Sequence, residues 1–561
     1  MLKLDNESRV RRAEAPGGSR KRRTVVRWTR GDEQLEPSGR LELTWANKHL
    51  RLISDPEGGY EWVDPADPRV SEVRLLHDVD TVGDDTAGDN LLIEGDALHA
   101  LTALNRIPEL AKRYAGQVRL VYIDPPFNTG QAFAHYDDNL EHSVWLSMLR
   151  DRLAQLKPLL APNGSIWVHL DDAEVHRCRM VMDEVLGSAN FVSTVAWKRR
   201  NDPRNTARHI SLDHDTLLVY ARDLAALTFN QLARTAQMDA AYTNPDDDTR
   251  GPWRRGDLAA RNFYSRGLYA VTTPSGRVID GPPSGSYWRV SDDELKRLDA
   301  DGRIYWGPNG DSRPYLKRFL TEVAGGRVPS SVWHPEEVGF VRNGKEEVRA
   351  LIGDVFATPK PERLMERVIS IATDPGDLVL DCFAGSGTTS AVAHKLGRRW
   401  ITSESEPGTV AEFTRPRLEK VVRGEDPGGI SQVVEWQGGG GFRHLRVGPS
   451  MFDLDAETGD VFLAEWATNG AFSAAVAAQL GFEQCDEPPF CGRKGRTRLA
   501  VLDGVVGDAE IEFLVAALDE RERVVVVGQA FTEEAEPTLR RLSAGSKIRH
   551  APHDLLRGGR R

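Results

Sequence analysis

The sequence predicts a doubly wound α/β sheet, and three segments carry that prediction. Leu120 to Ile123 is a short apolar run flanked by polar residues, the pattern of a buried parallel strand, and it stops at Asp124-Pro125-Pro126-Phe127. Leu378 to Asp381 is a second such run, followed by Gly385, Ser386 and Gly387 and then by a helical stretch, Thr388 to Leu396. Trp400 to Thr402 is a third, leading to Glu404. In an open α/β sheet the carboxyl ends of such strands face a ligand crevice.

The first strand end is equipped to hold an amine. Proline at 126 donates no N–H, so the Pro125 carbonyl is left to accept from a ligand, and Asp124 supplies a second acceptor beside it. An exocyclic amino group of a nucleobase has two N–H donors and a lone pair delocalised into the ring. Two acceptors on those hydrogens favour a more pyramidal, more nucleophilic nitrogen. Phe127 adds a flat face for a base drawn out of its stack. The competing reading is a plain Pro-Pro strand terminator with a capping Asp.

The second strand end reads as a cofactor turn. Strand, glycine-rich turn and helix let a ligand approach the backbone closely. No Gly-Lys-Ser/Thr follows the glycines, which excludes a phosphate-binding P-loop, and the spacing does not match the three-glycine dinucleotide fingerprint. Glu404 stands where a carboxylate accepts both ribose hydroxyls, so the turn points to a nucleoside-bearing cofactor. Cys382, inside the turn, reads as packing rather than as a nucleophile.

With the two motifs in this order, the chain resembles the β-class amino methyltransferases that use S-adenosylmethionine, in which the Asp-Pro-Pro-aromatic motif precedes the cofactor motif, a circular permutation. The likeness runs over roughly residues 40 to 445 and is to the modification subunits of type III restriction systems. It is carried by NLLIEGDALHAL from Asn90, HSVWLSMLRDRL from His142, GSIWVHLDD from Gly164, Phe191 to Lys198, HDTLLVYAR from His214, GPWRRGDL from Gly251 and TPKPERLMERV from Thr358. The resemblance implies a Rossmann-like methyltransferase sheet with an inserted target-recognition domain. It implies transfer to adenine N6 rather than cytosine N4, since Asp rather than Ser precedes the prolines, with double-stranded DNA as substrate. Asp124, Pro125, Pro126 and Phe127 then form the catalytic motif; many relatives have Tyr where Phe127 stands. Asp381, Phe383, Gly385, Ser386, Gly387, Thr388 and Glu404 hold the cofactor. Thr358 and Lys360 close over its amino-acid end, and Asp96 lines the same crevice. The alternatives are a cytosine-N4 or RNA amino methyltransferase, or a catalytically silent DNA-binding subunit.

At 561 residues the chain is long enough for about three domains. The expected division is an N-terminal region at 1–75, the catalytic half of the methyltransferase domain at 76–200, the target-recognition insertion at 201–353, the cofactor-binding half at 354–430, and a small C-terminal α/β domain at 442–561. The net charge of −11 is unfavourable for a DNA partner, but the position of the positive residues decides binding. Lys198, Arg199 and Arg200 open a basic stretch directly after a catalytic-domain strand, and Arg254 and Arg255 lie among aromatics in the insertion; all five are expected at DNA. Arg20 to Arg30 is more basic still and reads either as a solvated tail or as a DNA contact. Leu41 to Glu61 alternates as a short antiparallel unit does.

Several classes are set aside. Asp280 followed by Glu294-Leu-Lys296 looks like a metal-dependent nuclease motif, yet Ser291 and Glu294 read as a capping box that opens a helix. The four cysteines show no paired spacing, so no metal is expected. No ATP-binding motif appears, and cleavage is assigned to a separate restriction or helicase subunit. The C-terminal domain, beginning after Gly438 to Gly441, is expected to make protein contacts, through a homodimer or through such a partner. A charged N-terminus and the lack of a spanning segment lead to the expectation of a cytoplasmic protein with no membrane contact.

Overall fold

Ten strands make the central sheet of the computed structural model, which describes residues 42–556 apart from 55–59, 85–89, 129–140, 204–206, 324, 354–355, 456–457 and 459. In chain order they are β1 (Leu76–Gly83), β2 (Leu91–Glu94), β3 (Val118–Ile123), β4 (Leu160–Leu170), β5 (Phe191–Lys198), β6 (His214–Ala221), β7 (Val332–Trp333), β8 (Leu378–Asp381), β9 (Arg399–Glu404) and β10 (Gly441–Val447). Their spatial order is β7-β5-β6-β4-β3-β8-β9-β2-β10-β1. The six strands from β4 to β10 in this order run parallel. β6 is antiparallel to both of its neighbours, and β1 closes the far edge antiparallel to β10.

Successive residues of a strand point to opposite faces, yet Leu120, Val121, Tyr122 and Ile123 are all buried, so both faces of the sheet are covered. One cover is α1 (Ala97–Arg106) with α2 (His142–Leu156), which bury Ala100, Leu101, Leu104, Leu149 and Leu153. On the cover that includes α4 (Glu362–Ala372), α5 (Thr388–Lys395) and α6 (Arg415–Arg423), Leu364, Val368, Val392 and Val421 share a core with Leu120, Tyr122, Val379 and Trp400. The doubly wound α/β class is therefore the observed one.

Three segments fall differently from the expected boundaries. β6, β7 and α3 (Val341–Ile352) were expected within the insertion at 201–353, but seven of the eight residues of β6 are buried between β4 and β5, and β7 pairs with β5. The excursion from the sheet thus runs only from Ala221 to Val332. It holds an antiparallel sheet of Trp253–Asp257, Tyr315–Phe319 and Ile304–Tyr305, a helix Asp292–Ala300, and a separate core around Leu258, Trp288, Leu295 and Trp306. Ser291 accepts from the Glu294 N–H at 3.4 Å, while Glu294 pairs with Arg297 and Lys296 with Asp292, so Glu294 and Lys296 are spent on the helix itself.

The glycine run departs from the expected boundary as well. Gly438, Gly439 and Gly440 have φ of 88°, 111° and 71°, a left-handed path that other residues rarely take. They turn the chain back into the sheet as β10, beside β2, so the C-terminal α/β unit begins after Val447 rather than at 442. That unit is a five-stranded sheet with helices Asn469–Leu480, Asp508–Ala516 and Ala535–Leu542. It docks where the buried Glu72 carboxylate accepts from the Met451 N–H at 2.7 Å and the Val73 N–H donates to Gln479 at 2.8 Å. At the other end, Arg51–Ser54 and Tyr60–Val63 form the expected antiparallel pair, held to α2 through Arg150 and the Leu50 carbonyl. The Arg20 to Arg30 segment lies outside the described residues.

Candidate active site at the carboxyl ends of three parallel strands

Register brings the two motifs together. Leu120 is opposite Val379 across β3 and β8, and Asp381 is opposite Thr402 across β8 and β9. Parallel strands end on the same side, so Asp124, the turn after Asp381 and Glu404 share one rim although hundreds of residues separate them in sequence. A cavity of about 1040 Å³ opens there. Its walls include Asp96, Asp124, Pro125, Pro126, Phe127, Thr358, Lys360, Asp381, Phe383, Gly385, Ser386, Thr388 and Glu404. Gly387 stands just behind the wall: with φ 73° it caps α5, and a Cβ there would meet Thr414 at 3.2 Å.

The glycine turn is held by the carboxylate that was expected to face a ribose. Glu404, 3% exposed, accepts from the Gly385 N–H at 2.8 Å and the Glu406 N–H at 3.1 Å. Each carboxylate oxygen has two lone pairs, so these bonds leave acceptor capacity on the same group. Asp381 accepts from the Phe383 N–H at 3.0 Å. Burial pushes its carboxyl up to about 7, against the lowering effect of hydrogen bonds from Thr389 and Phe383, with Asp124 and Glu404 adding negative charge nearby. Cys382 is buried and its thiol is pushed up by that burial, in keeping with a packing role. Asp96 caps α1, accepting from the Leu98 N–H at 2.6 Å, and pairs with Arg152 at 2.8 Å.

The catalytic-motif candidates sit in a more elaborate setting than the sequence suggested. Lys360 does not stop at the far end of the cavity: its Nζ donates to Asp124 Oδ2 and lies 5.0 Å from the Phe127 ring centroid, a cation over an aromatic face. Asp124 Oδ1 is buried and has no hydrogen-bond partner among the described residues. Trp145, fully buried on α2, donates to the Pro126 carbonyl at 2.7 Å. Asn128, at φ 60°, is tied by its side-chain amide to the buried Glu174, which also receives Arg177 and pairs with His142. None of these holding residues was singled out from sequence. Trp145, His142 and Glu174 lie in or beside segments that carry the family resemblance, which is the signal that could have found them.

The basic residues divide. Arg199 and Arg200 reach the cavity wall, Arg199 in an ion pair with Asp215 at 2.9 Å; Lys198 ends β5 outside it. Arg254 and Arg255 are consecutive on one strand and so point to opposite faces, Arg254 to Tyr242 and Arg255 to Tyr305 and Tyr315. They are not brought together with each other or with the cavity. Among the described residues no cluster of His, Cys, Asp and Glu could hold a metal, and no helix is long and apolar enough to cross a membrane.

A protein-family model described as DNA methylase matches residues 118–415, just over half of the chain. The type III restriction-modification enzyme StyLTI Mod subunit of Salmonella typhimurium is 28% identical over 431 residues, covering 67% of this chain and 63% of that protein. The probable type III restriction-modification enzyme HindVI Mod subunit of Haemophilus influenzae is 29% identical over 420 residues, covering 65% and 55%. The type II methyltransferase M.EcaI of Enterobacter cloacae is 26% identical over 346 residues, covering 59% and 72%. The chain thus spans about three-fifths of the length of the two Mod subunits.

Proposed function

The chain belongs to the DNA methylase family, and from that membership we propose that it methylates N6 of an adenine drawn out of duplex DNA, with S-adenosylmethionine as the methyl donor. The observation that carries the reading is the unpartnered, buried Asp124 Oδ1 at the rim where the glycine turn and Glu404 also end. A buried acceptor without a donor is costly, so a site that keeps one is built for a ligand N–H.

The donor set suits the cofactor. Asp96, Asp381 and Glu404 give the cavity acceptors for hydroxyl donors and negative charge for a cationic sulfur, and Phe383 gives a flat apolar side. When bound, the cofactor supplies an electrophilic methyl group on a sulfonium. Ser386 and Thr388 line the turn beside Gly385, and Thr388 is fixed by Arg417 at 2.8 Å. Thr358 lines the same cavity. Lys360 occupies Asp124 Oδ2, which leaves Oδ1 as the acceptor for one amine hydrogen, and the Pro125 carbonyl takes the other. Phe127 offers its ring to the base, and Trp145 holds the Pro126 carbonyl so that the loop presents both acceptors together. Pre-set geometry of this kind supplies much of the rate of a direct displacement. Arg199 and Arg200, at the cavity wall, are the residues for phosphates next to the extruded nucleotide.

The relatives named as Mod subunits favour a place in a restriction-modification system; we further propose a separate restriction or helicase subunit as partner, a homodimer as the working form and the cytoplasm as location. The test is to express the chain in a host free of adenine methylation and sequence the DNA with detection of modified bases. The expected result is N6-methyladenine at one sequence motif, strongly reduced by Asp124→Ala. N4-methylcytosine would overturn the base assignment, and unmodified DNA would overturn the activity.

A further inference from the structure

Behind the catalytic motif is a buried histidine to which the mechanism above gives no task. His169, on β4, is fully buried. Its ring lies against that of Phe127, centroids 5.8 Å apart and planes 27° from parallel, with Trp197 edge-on at 5.5 Å. Two hydrogen-bond partners fix the ring's rotation: Tyr122 Oη meets Nδ1 at 2.7 Å, and Asp215 Oδ2 lies 3.4 Å from Nε2. Asp215 is paired in turn with Arg199, at the cavity wall.

The protonation pattern of this chain of groups follows from its members. Burial lowers the imidazole's proton affinity and raises that of the Tyr122 hydroxyl, so the histidine is neutral and the phenol keeps its proton. Tyr122 then donates to Nδ1, and the Nε2–H donates to the Asp215 carboxylate. A phenylalanine side chain in the place of His169 would stack on Phe127 but could not be held at one angle by partners on both sides.

We propose that His169 is a positioning residue: the fixed floor on which Phe127 rests, so that the target base, Phe127 and His169 form a three-layer stack. This rests on the reading of Phe127 as the platform for an extruded base. A lone ring on a surface loop can swing with the base it receives. One backed by a second ring at stacking distance presents a preset plane, and the link through Asp215 to Arg199 ties that plane to the wall where the DNA backbone would pass.

The test uses the full chain and a duplex carrying the sequence found methylated in the host, with 2-aminopurine in place of the target adenine for the fluorescence arm. His169→Gln retains side-chain hydrogen bonding towards Tyr122 and Asp215 and removes the ring. It is expected to cut the fluorescence rise on binding at least twofold and kcat about tenfold, while the KM for S-adenosylmethionine stays within twofold. His169→Phe keeps the ring and loses the hydrogen bonds. It is expected to retain more than half of the fluorescence rise and a kcat within threefold of wild type, with a lowered Tm. A glutamine variant equal to wild type in both readouts overturns the proposal. So does a pair of variants that lose kcat in proportion to their loss of Tm, which is the mark of a core defect. Failure of the wild-type chain itself to methylate the duplex would instead overturn the underlying function.

Discussion

At the scale of single residues, the site depends on where charge is placed. Asp124→Ala removes the proposed acceptor for the amine and leaves Lys360 without its carboxylate partner. Turnover is expected to fall by about 10²–10³-fold, the scale for losing one preorganised polar group, while calorimetry finds S-adenosylmethionine affinity within about threefold, because the glycine turn is untouched. Asp381 makes the protein's stability depend on pH. Its carboxyl titrates at 3.8 in an unfolded reference and near 7 when buried, so between these values the folded chain keeps a proton that the unfolded chain has released. The contribution is whole below about pH 4, is lost as pH rises to 7, and is level above, a span on the order of 4 kcal/mol. Urea titrations at pH 5 and pH 8 should therefore differ less for Asp381→Asn than for wild type; an unchanged difference would mean that Asp381 is already ionised in the fold. Asp124, Phe127 and Glu404 were legible because prolines, glycines and strand ends mark their neighbourhood. The Lys360 contact was not, because an ion pair across 236 positions leaves no local pattern.

At the scale of elements, the cofactor turn is braced from behind by buried charge. Glu362, at the start of α4, is 1% exposed and binds Lys395 on α5 at 2.7 Å and Arg417 on α6 at 2.9 Å; Lys395 also binds Asp426 at 2.6 Å. Arg417 in turn holds Thr388. Glu362→Gln would strip the shared counter-charge from two buried cations, at a cost of about 3–5 kcal/mol. The urea midpoint should fall accordingly, and the KM for S-adenosylmethionine should rise with it; a variant as stable as wild type would mean that Asp426 alone neutralises the cluster. The strands and helices around this brace were readable from apolar runs and their length. Their grouping was less so: β7 and β10 lie next to Gly- and Pro-rich segments that resemble linkers, and β6 is separated from its partner β5 by a polar, basic stretch. Pairing partners decide which sheet a short strand joins, and partners far away in sequence are invisible to a window of residues.

At the scale of the whole molecule, a net charge of −11 is compatible with the proposed DNA substrate because Arg199 and Arg200 stand at the cavity wall. Duplex binding should weaken steeply with salt, and Arg200→Gln should lower the slope of log affinity against log salt by about 0.9, the increment for one phosphate contact. An unchanged slope would put Arg200 away from the backbone. The sheet order has a further effect, on how the protein is made. β2 and β3 leave the ribosome early, yet in the finished sheet they are separated by β8 and β9. At about 5–20 residues per second, roughly 15 to 60 s pass between the emergence of β3 and that of β9. Throughout that interval the nascent chain carries two apolar strands whose facing edges await partners, while the segment between Ala221 and Val332 already holds the residues of its own core. Asp124 is thus synthesised long before the turn that would serve it, and no truncated product of translation that stops short of β9 can assemble the site.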